Sequence, residues 1–213
     1  GAAVYCGAFV GMASPTVFAG LPAVTAAGLV AGVVFVAAEQ VFDGFGGKLG
    51  TMAFIGCAAV ALALGAEGGS GTAVSGATAV GFVLAGAAAA GITYISSVRL
   101  NHGPVQASAL VGLVGGLVCP ALPIIGEGIA AVVFCASFAG MASPDRVPSV
   151  WAMALAGAFC GVLVAATSPV LVGFGGKLGT IAFVACLVVR GFLAVGADVL
   201  PAALPAPADG LRS

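Results

Sequence analysis

A lysine-bearing glycine loop occurs twice in this chain of 213 residues. Its sequence, GFGGKLGT, spans residues 44–51 and returns letter for letter at residues 173–180. Glycines let the backbone turn sharply and approach a neighbouring group closely. The lysine then opens the following helix, whose first backbone N–H groups are unpaired and carry partial positive charge. Because an ammonium group and such amides together suit a negatively charged ligand, both copies predict an anion site.

The alternative for each loop is a tight interhelical turn with a lysine that reaches for the membrane interface. The loop is not a Walker A motif, because leucine follows each lysine where that motif has Ser or Thr. Thr51 and Thr180 share a helical face with the lysines, so their hydroxyls join the candidate site. Phe45 and Phe174 are either hydrophobic gates or packing residues. The candidate binding residues of the two loops are Gly46, Gly47, Lys48, Thr51, Gly175, Gly176, Lys177 and Thr180.

The composition indicates the kind of protein that carries these loops. Hydrophobic residues make up 62% of the chain and charged residues 6%, against about 25% charged in soluble domains. So few charges cannot cover a water-facing surface, which leaves lipid as the surroundings and helices or a closed barrel as the structure. The apolar runs are continuous and lack the period-two alternation of barrel strands. The sequence therefore predicts an all-α polytopic membrane protein.

Eight apolar runs approach the roughly 20 residues that a membrane-spanning helix needs. They cover residues 1–18, 22–42, 48–65, 76–97, 105–125, 128–143, 148–169 and 178–197. We assign 1–65 to a first half, 66–127 to two linking helices, the second of which belongs to the second half, and 128–197 to that second half. Residues 198–213 form a Pro/Ala-rich tail that we expect to be disordered.

The two halves are related by an internal duplication. The two loops begin at Gly44 and Gly173, which defines a repeat offset of 173 − 44 = 129. The motif GMASP recurs at the same offset, at 11–15 and 140–144. The copies lie on helices one to three and six to eight, so they are an odd number of crossings apart and enter the membrane from opposite sides. This predicts inverted-topology repeats. Because the helix near 105–125 has no counterpart, we expect one or two further helices before Gly1.

Polar residues outside the loops complete the candidate site. Ser14 and Ser143 precede the prolines of GMASP, where a broken helix would free coordinating carbonyls, although a plain helix stop is the alternative. Glu39 and Arg190 are charges near or within apolar segments and break the repeat symmetry. Intramembrane charges mark functional sites, so these two residues either pair, carry protons or reach for headgroups.

The remaining features restrict the function. A net charge of −1 argues against nucleic acid as a partner, and the six cysteines, without C-x-x-C spacing, are expected to be buried small hydrophobes. Catalytic motifs and cofactor sites are not evident, so we expect no enzyme. Basic residues near helix ends predict a cytoplasmic C-terminus. The glycine-rich helix starts resemble the G-x-G-G-G hinges of sulfite/taurine-type anion exporters, which lack the lysine and carry a downstream proline that is absent here.

These observations predict an integral membrane transporter or channel. Its solute is a small ion, with an anion favoured by the lysine loops, and its path lies between the two repeats with the GFGGKLGT loops as gate or binding elements. The alternative is a non-catalytic accessory subunit whose glycine-rich helix faces dock a larger partner. The same faces are compatible with a homo-oligomer.

Overall fold

The computed structural model describes residues 1–121 and 128–203, with side chains as far as residue 196. This part of the chain contains eight α-helices and no strand, apart from one isolated antiparallel bridge between Gly69 and Val172. The prediction of an all-helical protein is confirmed. The helices are α1 (Ala2–Gly11), α2 (Leu21–Ala37), α3 (Lys48–Leu64), α4 (Gly76–Tyr94, continued by a π-helical turn at Ile95–Arg99), α5 (Pro104–Ala121), α6 (Ile129–Ala139), α7 (Val150–Thr167) and α8 (Lys177–Ala203).

Four helical segments are long and apolar enough to cross a membrane. They are 76–99, 104–121, 150–167 and 177–196. The other four helices, α1, α2, α3 and α6, are apolar but have only 10–17 residues. The structure thus supports membrane integration through four helices, where the sequence predicted eight spans. The end of α8 enters the predicted tail, and residues 204–213 of that tail lie outside the described residues.

The helices α1 and α6 are shorter than their apolar runs because each stops at a GMASP motif. They contain 10 and 11 residues, which corresponds to about 15 Å, or half the hydrocarbon core of a bilayer. A residue that precedes proline is disfavoured in the α conformation, and Ser14 and Ser143 hold that position. The chain therefore turns out of both helices well before residues 18 and 143, where the apolar runs end.

Small residues let the helices approach one another closely. A Cβ atom built on Gly56 of α3 would lie 2.5 Å from the carbonyl oxygen of Ala27 and 2.7 Å from the Cβ atom of Ala31, both in α2. Gly86 of α4 meets Gly157 of α7 in the same way. Contacts of this kind are typical of helices that associate within lipid.

The exposed and buried side chains are distributed as expected for a protein in a membrane. Trp151, Leu62 and Leu21 are more than 80% exposed, which suits contact with lipid tails. The interior contains alanines, glycines and five of the six cysteines, all of them as free thiols. The interpretation of the cysteines as small buried hydrophobes is confirmed for these five, and Cys119 is half-buried.

Candidate functional site

The two GMASP motifs contact the two glycine loops crosswise. The backbone N–H of Ser14 donates to the carbonyl oxygen of Gly173 at 2.8 Å, and that of Ser143 donates to the carbonyl of Gly44, also at 2.8 Å. The repeat offset relates the residues of the second bond to those of the first. The GMASP motif of each predicted half therefore binds the first glycine of the loop in the other half. Both serine side chains also pack against these glycines: a Cβ atom built on Gly44 would lie 2.5 Å from the Ser143 hydroxyl oxygen, and one on Gly173 would lie 2.7 Å from the Ser14 Cβ atom. The Ser14 hydroxyl bonds that of Thr16 at 2.9 Å.

The helices that begin at the two lysines cross at a pair of glycines. A Cβ atom built on Gly50 would lie 2.6 Å from the Cα atom of Gly179, and one built on Gly179 would lie 2.6 Å from the Cα atom of Gly50. Only residues without a side chain allow this contact between backbones. The N-terminal ends of α3 and α8 thus meet at two buried glycines, and both GFGGKLGT loops reach that point.

Gly47 and Gly176 complete the crossing. Both precede their lysines with positive φ, 79° and 80°, a conformation that favours glycine. A Cβ atom on Gly47 would meet the backbone nitrogen of Phe183 at 2.6 Å, and one on Gly176 would meet that of Phe54 at 2.5 Å. As residue numbers rise along α3 they fall along α8, so the two helices run in opposite directions through the contact.

Each lysine binds the end of the helix that precedes it. The Lys48 ammonium donates to the carbonyl oxygen of Glu39, just past α2. The Lys177 ammonium donates to the carbonyls of Thr167 and Val170, at the end of α7, at 2.7 and 2.6 Å. The carbonyls at a helix C-terminus carry partial negative charge, so the lysine hydrogen bonds stabilise these helix ends and hold the loops in place. An ammonium has three donors, so this role leaves at least one donor of each lysine unassigned.

The threonines of the loops also bond within their own helices. The hydroxyls of Thr51 and Thr180 donate to the carbonyls of Gly47 and Gly176, both at 3.3 Å. Their oxygens remain available as acceptors. Thr180 lines an apolar groove next to Lys177, on the side of Phe54 and Val184. Gly46 and Gly175 are buried against the carbonyls at the ends of α6 and α1, respectively.

Two cavities lie next to the two loops. The first, of about 340 Å³, is lined by Gly44 to Gly50, including Lys48, and by Phe35, Glu39 and Met141. The second, of about 640 Å³, is lined by Gly173, Phe174 and 176–179, including Lys177, and by Val164, Ser168 and Met12. The repeat offset relates Phe35, Glu39 and Met141 to Val164, Ser168 and Met12, in that order. The cavities are therefore equivalent places in the two halves.

Phe9 and Phe138 separate the two cavities. Both residues line both cavities, and their rings contact edge to face with centroids 4.9 Å apart. The repeat offset relates them to each other, and they lie near the ends of the half-length helices α1 and α6. Sequence reasoning did not place them in the site, although an aromatic pair at the repeat offset was a signal for it.

The loop phenylalanines pack across the crossing. The Phe45 ring lies 6.0 Å from that of Phe183, and the Phe174 ring lies 5.9 Å from that of Phe54. Each loop ring thus contacts the helix of the other half. This arrangement favours packing over the gating alternative for Phe45 and Phe174.

The charged candidates outside the loops do not meet. Glu39 and Arg190 are both exposed, and no hydrogen bond or ion pair joins their side chains in the part of the chain that the structure describes. Glu39 lines the first cavity. Arg190 lies eleven residues beyond the Gly179 crossing, which is about 16 Å along α8.

Arg146 is a residue that the sequence did not indicate for the site. Its Nε donates to the carbonyl of Asp43 at 2.8 Å, and its guanidinium lies over the Phe45 ring at 5.1 Å. It thereby ties the second GMASP motif to the first loop. The equivalent position in the first half is Val17, which is buried, so this tie has no charged counterpart.

Comparisons of the chain with protein-family models, with curated proteins and with solved structures find no match.

Proposed function

We propose that this chain is an integral membrane transporter or channel that moves a small solute, most simply an ion, between the two cavities. The observation that carries the proposal is the arrangement of two equivalent cavities, each beside a lysine loop, on either side of the Phe9–Phe138 pair. A solute that passes from one cavity to the other must displace those rings. The loops supply charged and polar groups next to this barrier, in an interior whose buried side chains are mostly apolar.

The antiparallel crossing of α3 and α8 supports inverted repeats. Two equivalent helices that run in opposite directions can be related only by a two-fold axis that is perpendicular to them. If both helices follow the membrane normal, that axis lies in the membrane plane, as in inverted-topology transporters. A parallel duplication would bring equivalent helices together in the same direction. The crosswise bonds of Ser14 and Ser143 support a two-fold relation between the halves, and the antiparallel helices supply the direction of the proposed axis.

The short helices fit this proposal as well. With the Gly50–Gly179 crossing at the bilayer centre, α1 and α6 reach from opposite surfaces to about the midplane. The loops before α3 and α8 then lie near the midplane, because each of these helices begins two residues before the crossing. The proposal of inverted topology therefore rests on the antiparallel crossing and does not depend on eight full spans.

Flux from proteoliposomes tests the proposal. Purified protein is reconstituted, and uptake of small labelled anions and cations is compared with that of empty vesicles. Phe9→Leu and Phe138→Leu are expected to change the rate because they shorten the rings between the cavities. Phe192→Leu, on the exposed side of α8, is the matched control and is expected to behave as wild type.

Two outcomes of this experiment contradict the proposal. Equal flux for all three phenylalanine variants would remove the ring pair from the path. No flux for any solute, with a stoichiometric partner that co-purifies from native membranes, would favour the accessory-subunit alternative. Helix content and monodispersity of each variant in detergent establish that the comparison concerns folded protein.

A further inference from the structure

The two cavities differ in charge. The first is lined by Lys48 and by the carboxylates Glu39 and Asp43, and Arg146 binds the backbone of Asp43. One ammonium group and two carboxylates therefore lie on its wall. Among the described residues that line the second cavity, Lys177 is the only ionisable one. The repeat symmetry of the cavities does not extend to their charges.

The charge of Lys177 has no carboxylate to balance it within the described part of the cavity wall. Its two hydrogen bonds go to carbonyl dipoles, which orient the ammonium and do not cancel its charge. A half-buried charge away from water is costly unless an opposite charge accompanies it. The other polar groups on the wall, Thr72, Thr167 and Ser168, are neutral and carry hydroxyls.

We infer that the second cavity binds one small monovalent anion next to Lys177. The ammonium balances a single negative charge, and the Thr72 hydroxyl lies on the same wall. The Ser168 hydroxyl is already used, because it donates to the backbone carbonyls of Thr72 and Ala165. The first cavity does not bind an anion in this way, because Glu39 occupies the position equivalent to Ser168 and Asp43 adds a second carboxylate. The inference rests on the proposed function, in which the second cavity is one end of the solute path.

Chloride binding is measured separately from transport, by the broadening of the chloride NMR line in the presence of detergent-solubilised protein. Wild type is expected to broaden the line saturably, and nitrate is expected to reverse the effect by competition. Lys177→Gln removes the charge but keeps a donor for the α7 carbonyls, and should weaken binding by roughly tenfold or more. Lys177→Arg keeps the charge and should retain binding, and Arg99→Gln, which removes an exposed charge outside both cavities, should behave as wild type.

A second pair of variants leaves Lys177 untouched. Ser168→Glu places in the second cavity the acid that the first cavity already has at the equivalent position, so the carboxylate should neutralise Lys177 and abolish chloride binding. Ser168→Gln loses the same hydroxyl bonds without adding a charge and should still bind. Glu127 precedes Gly128, which lines this cavity, and lies outside the described residues. Glu127→Gln is therefore included and is expected to leave chloride binding unchanged.

The outcomes separate the inference from the proposed function. Absence of saturable broadening by wild type overturns the anion site, as does equal broadening by wild type and Lys177→Gln. A large gain in Glu127→Gln would also overturn it, because the lysine would then already have its counter-charge. Solute flux without chloride binding would leave transport standing and remove the anion site. Chloride binding without flux of any solute would support the anion site and contradict the proposed transport.

Discussion

Alanine at either glycine of the α3–α8 crossing should separate the two helices. The Cβ atom of Gly50→Ala would lie 2.6 Å from the Cα atom of Gly179, whereas carbon atoms in contact sit about 3.5–4.0 Å apart. The neighbouring atoms within reach are all backbone, so no side chain can rotate away. The helices must therefore move apart by roughly 1 Å, against the packing of both halves.

The expected cost follows from two opposing effects. Alanine in place of a helical glycine stabilises by about 1 kcal/mol through helix propensity. An extra carbon in a closely packed interior costs about 1–3 kcal/mol, and more where backbone must shift. We expect overpacking to win at Gly50 and Gly179, because each approach is between two backbones. Gly191→Ala, in the same helix as Gly179 but with nothing within 4 Å, should instead be stabilising.

Thermal unfolding in detergent measures these effects. One kcal/mol corresponds to about 2–4 °C for a chain of this size, so Gly50→Ala and Gly179→Ala should lower the midpoint by several degrees and by similar amounts. The double variant should cost less than the sum, since both alanines open one gap. Two results would refute the reasoning: a Gly50→Ala variant as stable as Gly191→Ala, or strictly additive effects in the double variant.

Three further outcomes are expected. Asp43 and Val172 are exposed and related by the repeat offset. Cysteines at these two positions should react with an impermeant maleimide from opposite faces of oriented vesicles. Labelling of both cysteines from one face would contradict inverted repeats. Lys177→Met should lower the unfolding midpoint more than Lys48→Met, because it removes two ammonium hydrogen bonds where Lys48→Met removes one, at about 1.5–3 kcal/mol each; equal midpoints would argue against the capping role. Arg146→Gln should cost roughly 1–2 kcal/mol through loss of its hydrogen bond and ring contact, and a midpoint unchanged from wild type would show that the tie is not stabilising.

The sequence predicted the positions of the helices well and the lengths of α1 and α6 poorly. Apolar runs locate a helix because each residue contributes to the pattern separately, and α3 begins at Lys48 as expected. The apolar pattern did not predict where α1 and α6 end, because the residues after each helix, such as Met12 and Ala13, are as apolar as the helix itself. The serine–proline pair was the signal, and only the structure shows how early the chain turns.

The roles of the lysines were only partly predictable. Their spacing indicated two equivalent loops, and both loops do meet at the glycine crossing. The sequence did not reveal that Lys177 binds the end of α7, because that helix comes close only when the hairpin folds back. The same limit applies to Arg146 and Asp43, which are far apart in sequence and joined by one hydrogen bond.

The segment that covers the second loop distinguishes the halves most clearly. Gly69 and Val172 exchange two backbone hydrogen bonds, at 2.9 and 3.2 Å, and the Ser168 hydroxyl donates to the carbonyl of Thr72 at 3.0 Å. The turn that follows α3 thereby lies across the turn that precedes α8. At the first loop, Arg146 binds the equivalent carbonyl, that of Asp43. This single side-chain hydrogen bond breaks more readily than a bridge of two backbone hydrogen bonds.

A disulfide can test whether this cover must move during transport. A Cβ atom on Gly69 would lie 3.6 Å from that of Val172, within the roughly 3.5–4.5 Å range for disulfides, so Gly69→Cys with Val172→Cys should form a bond on oxidation. Thr72 lies on the wall of the second cavity, so we expect the bond to stop flux and a reductant to restore it. The single variant Val172→Cys controls for oxidation itself. Undiminished flux with the disulfide fully formed would mean that the cover is static, and that any opening of the second cavity comes from α7, α8 or the Phe9–Phe138 pair.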